Sequence, residues 1–392
     1  MDIFLPGYFK RLGASLSEFV DQSRLAELIF QGTEEMIGNL DPTKTLNEVF
    51  YNSFLPAIDS DNEDINHLID HFYNHEFPKL KQLTRPVDNA DIVIKKLLMD
   101  NNQIVIATNP LFPIKAIEHR IDWAELGVEQ SWFSYITNFE ELHFTKPHPE
   151  FIAETLGKIG WPDEIVVMIG NDYEMDLKPA EILGFPTFLI TLDNQQEYLN
   201  PDQNPLSTSG TIDDVPGWIK NIEKSGYKLK MIESRRALAA LLKAAAANLD
   251  SYFRNKNLEK RYIIRPVANE WAPVEIFAHL ADVDQFVNIP RMNKIKEREN
   301  LFIEAISTDQ WADEKKYILR DPYSEIDRFI QKRLELLDIL MKMSDSIWNS
   351  NVQHTIFGPT PVTELIKFIT QHDRIHLNQL YRTLPLNTWN GS

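Results

Sequence analysis

At 392 residues the chain is too long for one compact core, so two or three domains are expected. Hydrophobic residues at 43% and charged residues at 25% exclude a disordered or collagen-like chain, and the absence of cysteine excludes disulfides, zinc–thiolate sites and Cys nucleophiles. The net charge of −18 is uneven: residues 1–227 hold 16 basic against 37 acidic residues, whereas residues 228–392 hold 24 against 21. An acidic half beside a nearly neutral one predicts two modules and argues against nucleic acid or anionic membranes as partners. No apolar run approaches the length of a membrane span, and MDIFLPGYFKRL lacks the apolar core of a signal peptide, so a cytoplasmic location is expected.

Along the chain, Phe4, Tyr8, Leu12, Leu16, Phe19 and Val20 recur at helical spacing, as do Leu25, Leu28, Ile29 and Met36, so residues 1–80 read as helices. From about residue 90 the texture alternates. Helices are predicted over 91–99, 113–120, 149–159 and 177–183, with strands over 103–108, 134–137, 164–169 and 187–191. Apolar strands between helices predict a parallel sheet buried on both faces. Residues 194–210 read as a polar loop and 214–224 as a closing helix. From 228 the reading is purely helical, with long helices over 235–249, 273–287, 322–343 and 363–384, which suits a four-helix bundle.

In an open parallel sheet, ligands gather in the loops after the strands. Those loops carry Thr108-Asn109-Pro110, Lys146-Pro147 and Gly170-Asn171-Asp172-Tyr173-Glu174-Met175-Asp176. A hydroxyl with neighbouring backbone amides can hold phosphoryl oxygens, a lysine neutralises their charge, and spaced carboxylates can hold Mg²⁺. These segments resemble the haloacid dehalogenase-like (HAD) hydrolases: IVIATNP resembles the second motif of that family, FTKPHPEFI the third and VVMIGNDYEMDLKPAEILGF the fourth. The resemblance covers residues 1–224, with 1–85 similar to the inserted helical cap and 86–224 to the Rossmann-like α/β core. It implies phosphate-ester hydrolysis with Mg²⁺, with Thr108 and Asn109 at the phosphate, Lys146 as the motif lysine, and Asn171, Asp172 and Asp176 around the metal.

Two departures accompany this resemblance. The first motif of the family, a DxDx(T/V) loop that supplies the nucleophilic aspartate, is absent; DSDNED at 59–64 follows no apolar strand. Without that segment the chain cannot form an aspartyl-phosphate, the sheet should lack its first strand, and Met1 reads as an internal start of a longer protein. Asn171 also stands where the family usually places aspartate, which leaves the metal ligand open between Asp172 and a neutral Asn171.

In the second half, His279 shares a helix face with Ile276, Val283 and Phe286, and His372 and His376 lie one turn apart on a face continued by Leu365, Phe368, Ile369 and Leu380. Three inward imidazoles make a tripod for a divalent metal, with Zn²⁺ or Ni²⁺ the best fit and Fe²⁺ an alternative. Asp282 and Asp373 read as helix-surface charges or as partners that orient the imidazoles, His354 as structural, and His143 as unpaired. NEWAPVEIFAHLADVD and FGPTPVTELIKFITQHDRIHLNQLYR resemble the DinB-like superfamily of four-helix bundles over residues 228–392. That resemblance implies a metal-dependent thiol transferase-like activity on a small-molecule substrate, or a non-catalytic binding protein, and pairing of two copies through the bundle.

The expectation is therefore an α/β plus all-α protein. It comprises a HAD-like parallel sheet with a helical cap, inactive as a phosphatase for want of its nucleophile, followed by a DinB-like metal-binding bundle.

Overall fold

The computed structural model describes residues 3–58, 62–127, 129–191, 204–228, 234–298 and 301–386. The first helices are α1 (Phe4–Ser15), α2 (Gln22–Gly38), α3 (Leu46–Phe54) and α4 (Asn62–His71). Thr45 caps α3 through a reciprocal capping box with Glu48. Their apolar faces meet around Tyr8, Leu12, Leu28, Phe54, Phe72 and Phe77, as the helical spacing predicted. Of DSDNED, residues 59–61 lie outside the described residues, and the remainder opens α4.

The alternating region follows as α5 (Ala90–Met99), β1 (Val105–Ile106), α6 (Ile114–Trp123), β2 (Tyr135–Ile136), α7 (Pro149–Lys158) and β3 (Met168–Gly170). It continues through α8 (Lys178–Ile182), β4 (Thr187–Ile190), β5 (Thr208–Gly210) and α9 (Val215–Lys224). Every strand pair is parallel, but the strands form two separate sheets, β1-β2 and β3-β4-β5. The strands expected to be buried on both faces are not: Val105, Ile106, Met168 and Ile169 are only half-buried, and Ile165 is 38% exposed. Tyr135 and Ile136 of β2 and Phe188 of β4, the middle strand of its sheet, are buried. Among the described residues, β1 pairs only with β2, and β3 only with β4. β5 also corrects the sequence reading, which placed a loop through residue 210.

The last part holds α10 (Arg235–Arg254), α11 (Pro273–Val283), α12 (Ile289–Glu297), β6 (Phe302–Ile303), α13 (Trp311–Glu314) and α14 (Pro322–Met341). After these come α15 (Asp345–Trp348), β7 (Asn351–His354), β8 (Gly358–Pro361) and α16 (Val362–Thr383). Two features depart from the purely helical expectation. β6, β7 and β8 form a small sheet beside the bundle. A π-turn at Asp284–Asn288 widens the helix between α11 and α12 and resets its face, so Phe286, expected inside, is 50% exposed and packs edge-on to Trp311.

The two halves are not strung loosely together. The alanine face of α10 (Ala237, Ala240, Ala244, Ala247) sits in one core cluster with Phe144, Phe151, Leu156 and Phe185 of the α/β part, and every residue of α7 is buried. Gly157 on α7 lets Asn248 of α10 approach so closely that a Cβ there would stand 2.1 Å from its amide nitrogen. Polar contacts reinforce this packing, those of His143 fully buried and those of Arg236 at the exposed rim. His143 hydrogen-bonds Glu154 at 2.7 Å through Nδ1 and Asp250 at 2.9 Å through Nε2, and Arg236 makes two bonds to Glu150. Burial alone would depress the His143 pKa, but the Glu154 charge and the two carboxylate hydrogen bonds outweigh it and hold the pKa above its ordinary value.

Candidate functional site

The loops after β1, β2 and β3 converge as the motif order predicted. Asn109 Oδ1 accepts from the Lys146 backbone amide at 3.1 Å, which ties the first loop to the second. Lys146 Nζ donates to Asp176 Oδ1 at 2.6 Å, which ties the second to the third. Asp176 Oδ2 in turn accepts from the amides of Asn171 and Asp172, both at 3.1 Å. Gly170 is required beneath this arrangement, since a Cβ there would lie 2.3 Å from Cβ of Asp176. Thr108 is half-buried, with its carbonyl accepting from the Thr137 hydroxyl at 2.7 Å.

Both oxygens of Asp176 are thus engaged, and Lys146 occupies the direction from which a cation would approach one of them. Asp172 is exposed and uses one oxygen to cap the following turn through the Met175 amide at 3.0 Å. Of the Mg²⁺ candidates, Asp172 is exposed, Asn171 offers a neutral amide, and the Asp176 carboxylate is engaged by Lys146 and two backbone amides. Mg²⁺ commonly takes one or two carboxylates and completes its octahedron with water and phosphate oxygens. Together with Lys146 these residues form a Lys-centred turn at strand ends suited to an anion.

The histidines behave differently. His279 on α11 and His372 and His376 on α16 bring three Nε2 atoms together, with His372 Nε2 3.0 Å from that of His279 and 3.2 Å from that of His376. Tetrahedral ligands at 2.0–2.1 Å from a metal stand roughly 3.3 Å apart, so the spacing is that of a ligand set. Among the described residues this is the one group of three His, Cys, Asp or Glu ligands close enough to hold a metal. Gln379 Oε1 accepts from His376 Nδ1 at 3.1 Å, which leaves the Nε2 lone pair turned inward. The buried Nδ1 of His279 has no hydrogen-bond partner, and the Trp271 ring covers His279 and stacks on His376, their planes 3° apart.

Electrostatics favours neutral imidazoles here. Burial, then the neighbouring His376 charge, lowers the His279 pKa to about 3; burial lowers His376 to about 4; and His372 lies well below its ordinary value for the same reasons. A neutral imidazole is the ligating form.

Asp282 and Asp373 are neither surface charges nor direct partners of the imidazoles. Asp282 is buried and held by Lys315 at 2.8 Å, Tyr317 at 2.9 Å, Arg328 at 2.6 Å and Arg320 at 3.3 Å. Asp373 is buried against Arg333, which also grips Asp284. His354 is structural, its Nδ1 accepting from the Ile356 and Phe357 amides. The buried His143 bridge was not visible in sequence, because Asp250 lies 107 residues away and no spacing rule links them.

Comparison with known proteins agrees with both halves. Residues 9–190 match the family model of haloacid dehalogenase-like hydrolases, and residues 241–380 match that of the DinB superfamily. A glyceraldehyde 3-phosphate phosphatase of Methanocaldococcus jannaschii is 30% identical over 99 residues, 25% of this chain and 42% of that protein, so the match spans less than half of that relative. Among solved structures, YfiT from Bacillus subtilis, described as a probable metal-dependent hydrolase with an unusual four-helix bundle topology, is similar at 15% identity and a TM-score of 0.35, over 40% of this chain and 91% of that one. The chain is therefore similar to the haloacid dehalogenase-like hydrolases over residues 9–190 and to the DinB superfamily over residues 241–380.

Proposed function

We propose that the chemistry of this chain lies in the bundle, at a divalent-metal centre formed by His279, His372 and His376. In this reading the HAD-like half recognises a phosphate group without hydrolysing its ester. The observation that carries the proposal is the convergence of three imidazole nitrogens, two on buried rings and one on a half-buried ring, at ligand spacing. A bound Zn²⁺, Ni²⁺ or Fe²⁺ would supply Lewis acidity towards a water or a small-molecule thiol at an open position. The protein's own part is to hold the ligands. Gln379 fixes the His376 tautomer, Trp271 keeps bulk water from two of the rings, and the Asp282 cluster with Lys315, Arg320 and Arg328 sets the charge on one flank.

In the HAD-like half, Lys146 at the strand ends supports binding of an anion that takes the place of Asp176 at its ammonium group, and the similarity to a phosphatase of phosphorylated aldehydes supports a phosphate ester as its class. No DxDx(T/V) segment stands among the 392 residues, so no side chain is in place to become an aspartyl-phosphate. A generic aryl phosphate assay with Mg²⁺ tests this half: no turnover above background is expected, whereas inorganic phosphate should bind and lose affinity in Lys146→Ala. Turnover that survives Lys146→Ala would overturn the reading. For the bundle, thiol transfer and hydrolysis are separated by supplying the metal-loaded protein with a small thiol and an electrophile, then with an amide or ester alone.

A further inference from the structure

The helical region at the N-terminal end contains a cavity that neither half's chemistry uses. It measures about 260 Å³ and lies between α1, α2 and α3, closed below by Tyr73, the Leu111–Pro113 loop and Phe139. Its walls include Leu12, Leu16, Phe9, Phe54, Ile69 and Phe112, with Thr33 and the hydroxyl-bearing Tyr8, Tyr51 and Tyr73 as the only polar side chains. Tyr8 and Tyr73 satisfy each other, their hydroxyls 3.0 Å apart, so the lining does not demand water. A dry apolar void of about 150 Å³ accepts benzene, so this one has room for roughly ten carbon atoms. Many of its walls are aromatic, and Tyr8, Phe9, Phe30 and Phe112 pack in edge-on or tilted pairs around it, leaving ring edges and faces to meet a flat guest.

Charge narrows the class of guest. Among the described residues no lysine, arginine or histidine lines the cavity, and the charges felt by the Tyr51 hydroxyl are the carboxylates of Glu140 and Asp70. An anion would meet repulsion without a counter-charge. We infer that this cavity is a binding site for an uncharged, flat, largely apolar molecule of about ten carbons, separate from the phosphate loops and from the histidine centre. Leu111 lies two residues after Asn109, so the guest also braces the loop that leads out of β1.

The test is calorimetric titration of the full chain with 2-naphthol and, separately, with 2-naphthoate. Saturable one-to-one binding of 2-naphthol is expected, with a dissociation constant on the order of 100 µM for a ligand of this size. Binding of 2-naphthoate should be at least about tenfold weaker, because a carboxylate replaces the uncharged end. Leu12→Trp places a ring in the cavity and should abolish 2-naphthol binding while leaving metal binding at the bundle intact. If that variant does not fold, Thr33→Met, at a half-buried position on the wall, serves the same purpose. No saturable binding of 2-naphthol, equal binding of the two probes, or unchanged affinity in a folded cavity-filling variant would each overturn the inference.

Discussion

Arg333 is among the largest fully buried side chains of the molecule, and its replacement by methionine tests the polar core of the bundle. Its Nε donates to Asp284 Oδ2 at 2.8 Å and its Nη2 to Asp373 Oδ1 at 2.9 Å, with further bonds to both carboxylates and to the Leu242 carbonyl. Arg333→Met keeps most of the volume but strands two buried carboxylates, and breaking a buried pair from one side costs about 3–5 kcal/mol. The pH dependence gives the sharper prediction. Burial, opposed by Arg333, already raises the Asp373 pKa to about 6. A carboxyl whose folded pKa exceeds its unfolded value stabilises the fold only below the unfolded value, and that contribution fades as pH rises through the folded one. Without the guanidinium the Asp373 carboxyl rises further, so the variant regains more stability on acidification than the wild type does. At about 1.4 kcal/mol per proton per pH unit, the deficit at pH 7 should shrink by about 1–2 kcal/mol at pH 5. Urea unfolding of both proteins at the two pH values measures it. A deficit that is constant, or that grows towards pH 5, would refute the burial of both carboxylates against Arg333.

Other perturbations probe the contact between the halves and the histidine centre. Gly157→Ala gains about 1 kcal/mol of helix propensity but drives a methyl into Asn248, whose amide cannot swing away without losing its bonds to the Glu154 and Ala244 carbonyls; thermal unfolding should show a net loss of about 1–2 kcal/mol. Because the His143 pKa is raised, its contribution is full below about pH 6.5 and is lost as pH rises through the folded value. Wild-type stability should therefore fall on that alkaline side, and His143→Gln should lack this step in denaturant titrations at a series of pH values. The depressed pKa values of His279 and His376 have the opposite sign. Apo-protein stability declines as pH drops below about 6.5, while bound metal should resist proton competition down to about pH 5, as dialysis against buffers of stepped pH would show.

What the sequence revealed was local, and what it hid depends on contacts between distant segments. Lys146, Asn109 and Asp176 were legible because each follows an apolar strand in a fixed order, and the structure joins all three. His372 and His376 were legible because a four-residue spacing on one helix face is a geometric statement. The strands themselves were over-read: Ile104 and Ala107 are apolar enough for a long strand, but the paired register covers only Val105 and Ile106. Phe286 was misplaced because a π-turn adds a residue to one helical turn and leaves no mark in the hydrophobic pattern. The small alanines of α10 let it lie close against α7, and nothing in either segment alone announces its partner.

The central claim, a metal centre built from His279, His372 and His376, is tested most directly by titrating metal-free protein with Zn²⁺ and with Ni²⁺ in a calorimeter, wild type beside His376→Ala. The structure predicts one equivalent bound by the wild type and an affinity at least about a hundredfold lower in the variant, the scale expected when a metal site loses a supporting group. Equal stoichiometry and equal affinity in the two proteins would contradict the centre.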